Sequence, residues 1–488
     1  MIALTRLLSC AEELPTSRPA RPVLLDEPAP EAPFADCPPF DFLLRLQTGG
    51  ESLLTRVVPL ADGDVVVGGR HVGGEQFGRG EGDLLSWETG GFVARLSPEG
   101  RLRWSRDIQG GVDDLVVVGD GVWVTGAYVT TLVFDGVSYP VDGPGGYAVR
   151  VAGDGAVERV LTMGGVQGRF SVAEDPAGNV YLAAGLNEPY LTVGDLQISR
   201  YDLEERNDQD AWVGSFDATG RLRWLTSVGG PIWSFTTGLF WVGDGLQWVV
   251  SHKNEPGDLT ATYGTSAGVR FPVSATSTGA SLLGVDPATG RVVGLPTFGF
   301  SSSMNVFDSK WSDGGVHLFG TVVTPTSWVD ATGRSQTLPG PPDGGANGVH
   351  IALAASGAPA SIHAPIGGAA AWAGAPAGPH LAIAGTLQFT REFGAGTDRA
   401  VTFGSGVLES DGWFGLFDEQ DQFRCGWEVK GRNTQTMADV TWAADGSLWV
   451  VGRSEEPYIV VDALGRELTR SEPTNTEGFA IRFHPPGE

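Results

Sequence analysis

Apolar residues in this chain come in short runs separated by tight turns and polar stretches, and their order repeats. Each copy opens with an apolar stretch and a turn, then a run such as Val65-Val66-Val67-Gly68 or Val122-Trp123-Val124-Thr125-Gly126. A long polar connection leads to an aromatic-aliphatic run, such as Gly91-Phe92-Val93-Ala94-Arg95-Leu96 before Ser97-Pro98-Glu99-Gly100. A last short run of the type Leu222-Arg223-Trp224 ends at a glycine turn. Runs this short, bounded by Gly, Pro and Asp, predict β-strands, and no long helical periodicity interrupts them. The glycine markers Gly49, Gly110, Gly164, Gly229, Gly299, Gly367 and Gly431 lie 61, 54, 65, 70, 68 and 64 residues apart, which gives seven copies.

Four strands per copy at such a period describe stacked sheets, none of which buries its faces alone. The expected fold is all-β: a closed seven-bladed β-propeller with four-stranded blades, its strands named A to D from the axis outward. The last copy stops after strand C, while a lone D-type segment, Phe42-Leu43-Leu44-Arg45-Leu46, stands at the beginning. An N-terminal strand completing the last blade would close the ring and remove two exposed edges. The turns before strand B, Asp62-Gly63, Asp120-Gly121, Asp244-Gly245, Asp313-Gly314 and Asp445-Gly446, suggest primed hairpin turns with positive φ at both central residues.

Residues 1–39 differ in composition. Leu7-Leu8-Ser9-Cys10 resembles a bacterial lipobox, in which Cys10 would carry the lipid. Arg6 interrupts the apolar part, and the stretch before Cys10 is short for a signal peptide. The alternative is an ordinary disordered tail. Either way, Pro15, Pro19, Pro22, Pro28, Pro30 and Pro33 suit an extended tether, so 1–39 is expected to be a signal- or lipoprotein-like start with a Pro-rich tether, and 40–488 one propeller domain. Of the other cysteines, Cys37 precedes the closing strand and Cys425 lies in the strand leading toward the last blade, so ring closure would bring them near each other. A disulfide between them is one reading, favoured by export, and two unpaired thiols the other.

A formal net charge of −26 with only three lysines argues against a nucleic-acid partner, because phosphate binding needs clustered cations. No apolar run approaches the roughly 20 residues that cross a bilayer, which leaves a possible N-terminal lipid as the membrane contact. No catalytic set emerges. Gly264-Thr265-Ser266-Ala267-Gly268 matches a nucleophile elbow but lies in a loop with no helix after it. Asp217-Ala218-Thr219-Gly220 is similar to the Asp-box turn of sialidase propellers, though one residue too long, and such boxes are structural. His71 and His252 read as loop residues after strand B. Acidic runs at Asp202-Leu203-Glu204-Glu205 and Asp208-Gln209-Asp210 offer oxygen ligands for Ca²⁺ but fit a solvated loop better. No catalytic residue, cofactor or resident metal is therefore expected. Trp123, Trp248, Trp449 and His317 share one strand-B column and suit packing between blades, as Trp104, Trp224 and Trp427 suit packing in strand D.

The long connections between strands B and C carry what functional signal there is. Propeller geometry places them together on one face, and long loops on a rigid scaffold are where binding concentrates. Tyr190, Tyr201, Tyr263, Trp328 and Tyr458 are the aromatic candidates there, and Thr131–Tyr139 looks like a small hairpin.

Ala173-Glu174-Asp175-Pro176-Ala177-Gly178-Asn179-Val180-Tyr181, followed by Ala211-Trp212-Val213, resembles the bacterial seven-bladed propeller repeat family of exported proteins and lipoproteins. Ala280-Ser281-Leu282-Leu283-Gly284-Val285-Asp286-Pro287-Ala288-Thr289-Gly290 is similar to a repeat of quinoprotein-like propellers. The resemblance spans about residues 45–484 and implies an exported propeller. Quinoprotein dehydrogenases have eight blades and adjacent cysteines, which this chain lacks. The expected function is a non-catalytic cell-envelope or secreted scaffold that binds a protein or glycan, placed as an outer-membrane lipoprotein or outside the cell. The alternative is a hydrolase or lyase acting on extracellular polysaccharide with carboxylates from several blades.

Overall fold

The computed structural model describes most of residues 37–485. Residues 1–36 and 486–488, and stretches within the longer connections such as 200–208, 264–269, 273–277, 339–345 and 472–475, lie outside the described residues. Seven antiparallel sheets form the blades of a β-propeller. Blade 3 shows the pattern: strand A is Gln167–Glu174, B is Val180–Leu186, C is Asp210–Phe216 and D is Leu222–Gly229, paired in that order. Strands B and C of this blade are buried at every position, because neighbouring blades cover both of their faces. In blade 4 strand D is broken into Val292–Val293 and Thr297–Phe300.

Large side chains fill the wedges between radiating sheets. Trp123, Trp248 and Trp449 are at most 1 % exposed, as their shared column implies. Blade 6 solves the same problem from the other side. Its strand A, Ala369–Ala377, is mostly alanine, and a Cβ added at Gly374 would stand 2.1 Å from the Phe319 ring of blade 5. The small residues there let a neighbouring aromatic reach the backbone.

The N-terminal strand Phe40–Leu46 pairs with Glu477–Phe483, strand C of blade 7, and closes the ring. Its alternation is used on both faces: Phe42, Leu44 and Leu46 join the core shared with blade 1, while Phe40 and Leu43 lean on the core shared with blade 6. Phe42 meets Trp449 edge-on at 5.6 Å between centroids. Arg482 ties the closure together, pairing with Asp41 of the closing strand and, at 2.8 Å, with Asp445 in the A–B turn. Cys37 and Cys425 are disulfide-bonded, with Cα atoms 5.6 Å apart, which joins the start of the closing strand to strand D of blade 6.

Two expectations need correction. At Asp62-Gly63 only Gly63 has positive φ, and Leu60 accepts from the Gly63 N–H. That is a type I turn followed by a left-handed glycine, which lengthens the loop instead of forming a two-residue primed turn. Where the loop does have two residues, before Gly121 and Gly245, positive φ falls on the preceding Gly119 and Gly243. Among non-glycine described residues only Asp135, beside Gly136, is left-handed. His71 and His252 are not loop residues either. Both lie within strand B, opposite Gly90 and Gly279, and are 0 % and 2 % exposed. A facing glycine leaves room for the ring, and the strand continues past the point where polarity suggested it stopped.

The B–C connections form β-hairpins, and their position differs from a cluster of free loops on one face. The blade 2 hairpin, Leu132–Phe134 with Val137–Tyr139, adds to Leu102–Ile108, strand D of blade 1. The blade 4 hairpin, Asp258–Tyr263 with Arg270–Pro272, adds to strand D of blade 3. The blade 5 hairpin, Thr326–Val329 with Ser335–Leu338, adds to strand D of blade 4. The blade 7 hairpin, Tyr458–Asp462 with Glu467–Ser471, adds to Phe423–Gly431, strand D of blade 6. Each covers the outer edge of the preceding blade, where unpaired backbone groups would otherwise invite another strand.

Candidate functional site

The A strands line the propeller axis, and a shared irregularity shapes their inner surface. Strand A of blades 1, 4, 5, 6 and 7 carries a register shift at Thr55, Thr237, Phe307, Trp372 and Ala438. A bulge bends the strand and re-aims the next side chain. In blades 1, 5 and 7 that next residue is charged: Arg56, Asp308 and Asp439. Blade 2 adds Asp113 and Asp114, blade 3 adds Arg169 and blade 5 adds Lys310.

These seven side chains tie adjacent blades together and also reach across the axis between blades that are not neighbours. Arg169 reaches Asp308 at 3.0 Å, blade 3 to blade 5. Lys310 lies 3.6 Å from Asp308 and 3.5 Å from Asp439, blade 5 to blade 7. Asp439 accepts from the Val57 N–H at 3.0 Å, blade 7 to blade 1, and Arg56 meets Asp114 at 3.6 Å, blade 1 to blade 2. Blade 2 approaches blade 3 where the Phe170 N–H lies near the Asp113 carboxyl and favours its charged form. The result is a hub of four carboxylates and three cations, in which Asp308 and Asp439 are buried and the others half-buried.

The carboxyls respond differently to that burial. Burial pushes Asp113 up from 3.8 to about 6, although Arg56 and Arg169 oppose it, and its Oδ2 has no hydrogen-bond partner. Burial raises Asp439 as well, and the nearby Asp308 charge adds to the effect despite Lys310. At Asp308 burial acts in the same direction, but Lys310, Arg169 and Arg56 outweigh it and hold the carboxyl below its usual value. Lys310 and Arg169 are raised, their carboxylate partners overcoming the cost of burial. Among the described residues, no group of three or more His, Cys, Asp or Glu is arranged to hold a metal ion.

Toward the A–B turns the channel widens into a cavity of 550 Å³. Val58, Val116, Phe240 and Trp311 contribute apolar lining, and Lys310 and Thr441 contribute polar groups. This mouth faces away from the B–C connections.

The residues singled out by sequence fall elsewhere. Tyr190 is exposed at the start of the blade 3 hairpin. Tyr458 is 1 % exposed; its hydroxyl donates to Glu477 at 3.1 Å, and burial together with that carboxylate holds it well above the usual tyrosine value. It anchors its own hairpin. Tyr263 and Trp328 sit in hairpin strands opposite Thr226 and Phe300, but their side chains lie outside the described residues. Cys10, Tyr201, the acidic run 202–205 and the 264–268 motif also lie outside them. Asp217 caps its turn, its Oδ1 accepting from the Thr219 and Arg221 N–H groups at 2.9 and 3.0 Å, a structural use. Sequence reasoning missed the axial hub. The signal available was a charged residue at one register position inside the apolar A strands of blades 1, 5 and 7.

Fold and axis together define a closed seven-bladed β-propeller with a charged hub. No protein-family model matches the chain, and no curated protein matches it. Solved structures similar to it include a europium-containing methanol dehydrogenase, at 13 % identity and TM-score 0.33 over 77 % of this chain and 81 % of that one. A eukaryotic initiation factor structure matches at 9 % identity and TM-score 0.36, covering 91 % and 99 %. A puromycin hydrolase matches at 15 % identity and TM-score 0.29, covering 74 % of this chain and 54 % of the hydrolase.

Proposed function

We propose that the protein is a non-catalytic binding scaffold of the exported, cell-envelope type, which engages a protein or glycan through the tips and flanks of its B–C hairpins. One observation carries this reading. Among the described residues, the large apolar side chains left exposed are Val129, Val137, Tyr190 and Leu464, and all four belong to B–C connections. Three come from the consecutive blades 2 and 3, and the blade 3 hairpin lies beside strand D of blade 2. Apolar groups gathered on one class of element, above a rigid frame, suit a contact surface.

The test is capture from envelope extract alongside a glycan array, comparing the protein with Val129→Asp/Val137→Asp and Tyr190→Ser variants of unchanged thermal stability. Loss of a captured protein or glycan in these variants is the expected result. Undiminished capture by all of them would refute the assignment.

The polysaccharide hydrolase or lyase reading draws on one observation, the Asp113 carboxyl raised to about 6 beside Asp114. Its test is turnover of bacterial exopolysaccharide: loss of reducing-end release in Asp113→Asn would favour it over the scaffold.

A further inference from the structure

The cavity at the A–B turn end of the channel lies apart from the hairpins. At 550 Å³ it falls within the range of about 300–1,000 Å³ typical of small-ligand sites. Its lining is amphipathic. Val58 and Val116 come from blades 1 and 2, Phe240 and Trp311 from blades 4 and 5, and the two aromatic rings stand 6.3 Å apart at a 43° tilt. Lys310, from blade 5, and Thr441, from blade 7, put an ammonium and a hydroxyl among these apolar groups.

Charge narrows the choice of ligand. Lys310 already lies between Asp308 and Asp439; of the carboxylates in the lining, Asp114 is paired with Arg56, and Glu174 lies 3.8 Å from Arg150 and accepts from the Trp123 N–H. An ionic ligand would therefore meet a charge already compensated by a partner and lose its own hydration in return. A well-matched ligand is neutral, has an apolar face for the aromatic wall, and carries groups that both donate and accept hydrogen bonds. A pyranose ring has these properties: C–H groups on its faces and hydroxyls around its edge. We propose that this axial cavity binds the terminal neutral pyranose of a glycan, with Trp311 and Phe240 against the ring and Thr441 and Lys310 hydrogen-bonded to its hydroxyls. The hairpin surface is not needed for this, so failure of one reading leaves the other standing.

The experiment is saturation-transfer NMR with intrinsic tryptophan fluorescence, using the full chain and methyl glycosides of glucose, galactose, mannose and N-acetylglucosamine. Methyl glucuronide and phenol serve as the charged and the purely aromatic probes. The proposal expects saturable binding of at least one neutral glycoside. It expects affinity about tenfold or more weaker in Trp311→Ala, partial recovery in Trp311→Phe, and weakening in the near-isosteric Thr441→Val. Glu51→Gln, at an exposed position between the closing strand and strand A of blade 1, should bind as the parent does, and melting curves identify any variant that has lost its fold. Absence of binding by every neutral glycoside up to about 10 mM would overturn the proposal. Saturation by phenol alone, or glycoside binding unchanged in folded Trp311→Ala and Thr441→Val, would overturn it too.

Discussion

Replacing Asp113 with Asn should stabilise this protein at neutral pH and have little effect in acid. The carboxyl ionises at about 6 in the folded chain against 3.8 for an unperturbed aspartate, because burial strips it of water and its Oδ2 gains no hydrogen bond in exchange. The folded state thus holds this proton more tightly than the unfolded chain does. Stability associated with the group is present in full below 3.8 and is lost as pH rises through about 6. At 1.36 kcal/mol per pH unit, the gap between the two values is worth about 3 kcal/mol. With an unfolding entropy of roughly 2.1 cal/mol/K per residue, a propeller of this length should gain about 3 °C in Tm. The assay is calorimetric Tm for Asp113→Asn and the parent from pH 4 to 8. The variant should nearly match the parent at pH 4, pull ahead between about pH 4 and 6, and hold a constant lead above about pH 7. A variant melting below the parent at pH 7.5 would show that attraction to Arg56 and Arg169 outweighs burial, and a pH-independent difference would remove Asp113 as the titrating group.

Four other outcomes follow from the packing and the closure. The Cys37–Cys425 bond spans 388 positions, and chain entropy puts its contribution near 6 kcal/mol at most. The Cys37→Ser/Cys425→Ser variant should therefore melt several degrees lower, reductant should lower the parent to the same value, and reductant should not affect the variant. Gly374→Ala places a methyl against the Phe319 ring, 2.1 Å from the nearest ring atom, and should cost about 1–3 kcal/mol in urea unfolding, with Phe319→Leu in the same chain recovering part of it. Trp449→Ala empties the wedge beside Phe42 of the closing strand and should cost about 3–5 kcal/mol by the same measurement. Trp104, which is not fully buried, should cost less when truncated.

Blade number and ring closure were legible because both depend on periodic, local marks. Glycine turns recur once per blade, and the lone D-type strand at Phe42–Leu46 has an alternation that no neighbouring segment could satisfy. The axial hub was not legible. Its charges are scattered over 383 positions, from Arg56 to Asp439, and converge only when the A strands gather on the axis. Met437-Ala438-Asp439-Val440 reads locally as a strand with one awkward polar residue; the bulge at Ala438 re-aims that residue into the channel. The hairpin positions were hidden for a related reason. Leu132–Tyr139 announces a hairpin, but nothing within it names the Ile108 edge on which it lies. Turn type was misread at Asp62-Gly63 because a dipeptide does not reveal loop length, and loop length decides which residue becomes left-handed.

The exchanged hairpins also bear on how recognition at this propeller can be probed. Strand D is the outermost strand of each blade, and in blades 1, 3, 4 and 6 its free edge is paired with a hairpin from the next blade. Removing residues 254–277 would delete Asp258–Tyr263 and expose the edge of Leu222–Gly229 from Thr226 to Gly229. An exposed strand edge seeks another strand, so such a chain would lose partners by self-association whether or not the loop ever touched them. Shortening the loops therefore confounds binding with edge protection. Point changes at Val129, Val137, Tyr190 and Leu464 leave the ladders intact and alter only side chains that already face solvent. Equal binding by a shortened-loop chain would still be informative, because it would show that neither the tip nor the edge cover is needed. Loss of binding in that chain would say nothing about contact.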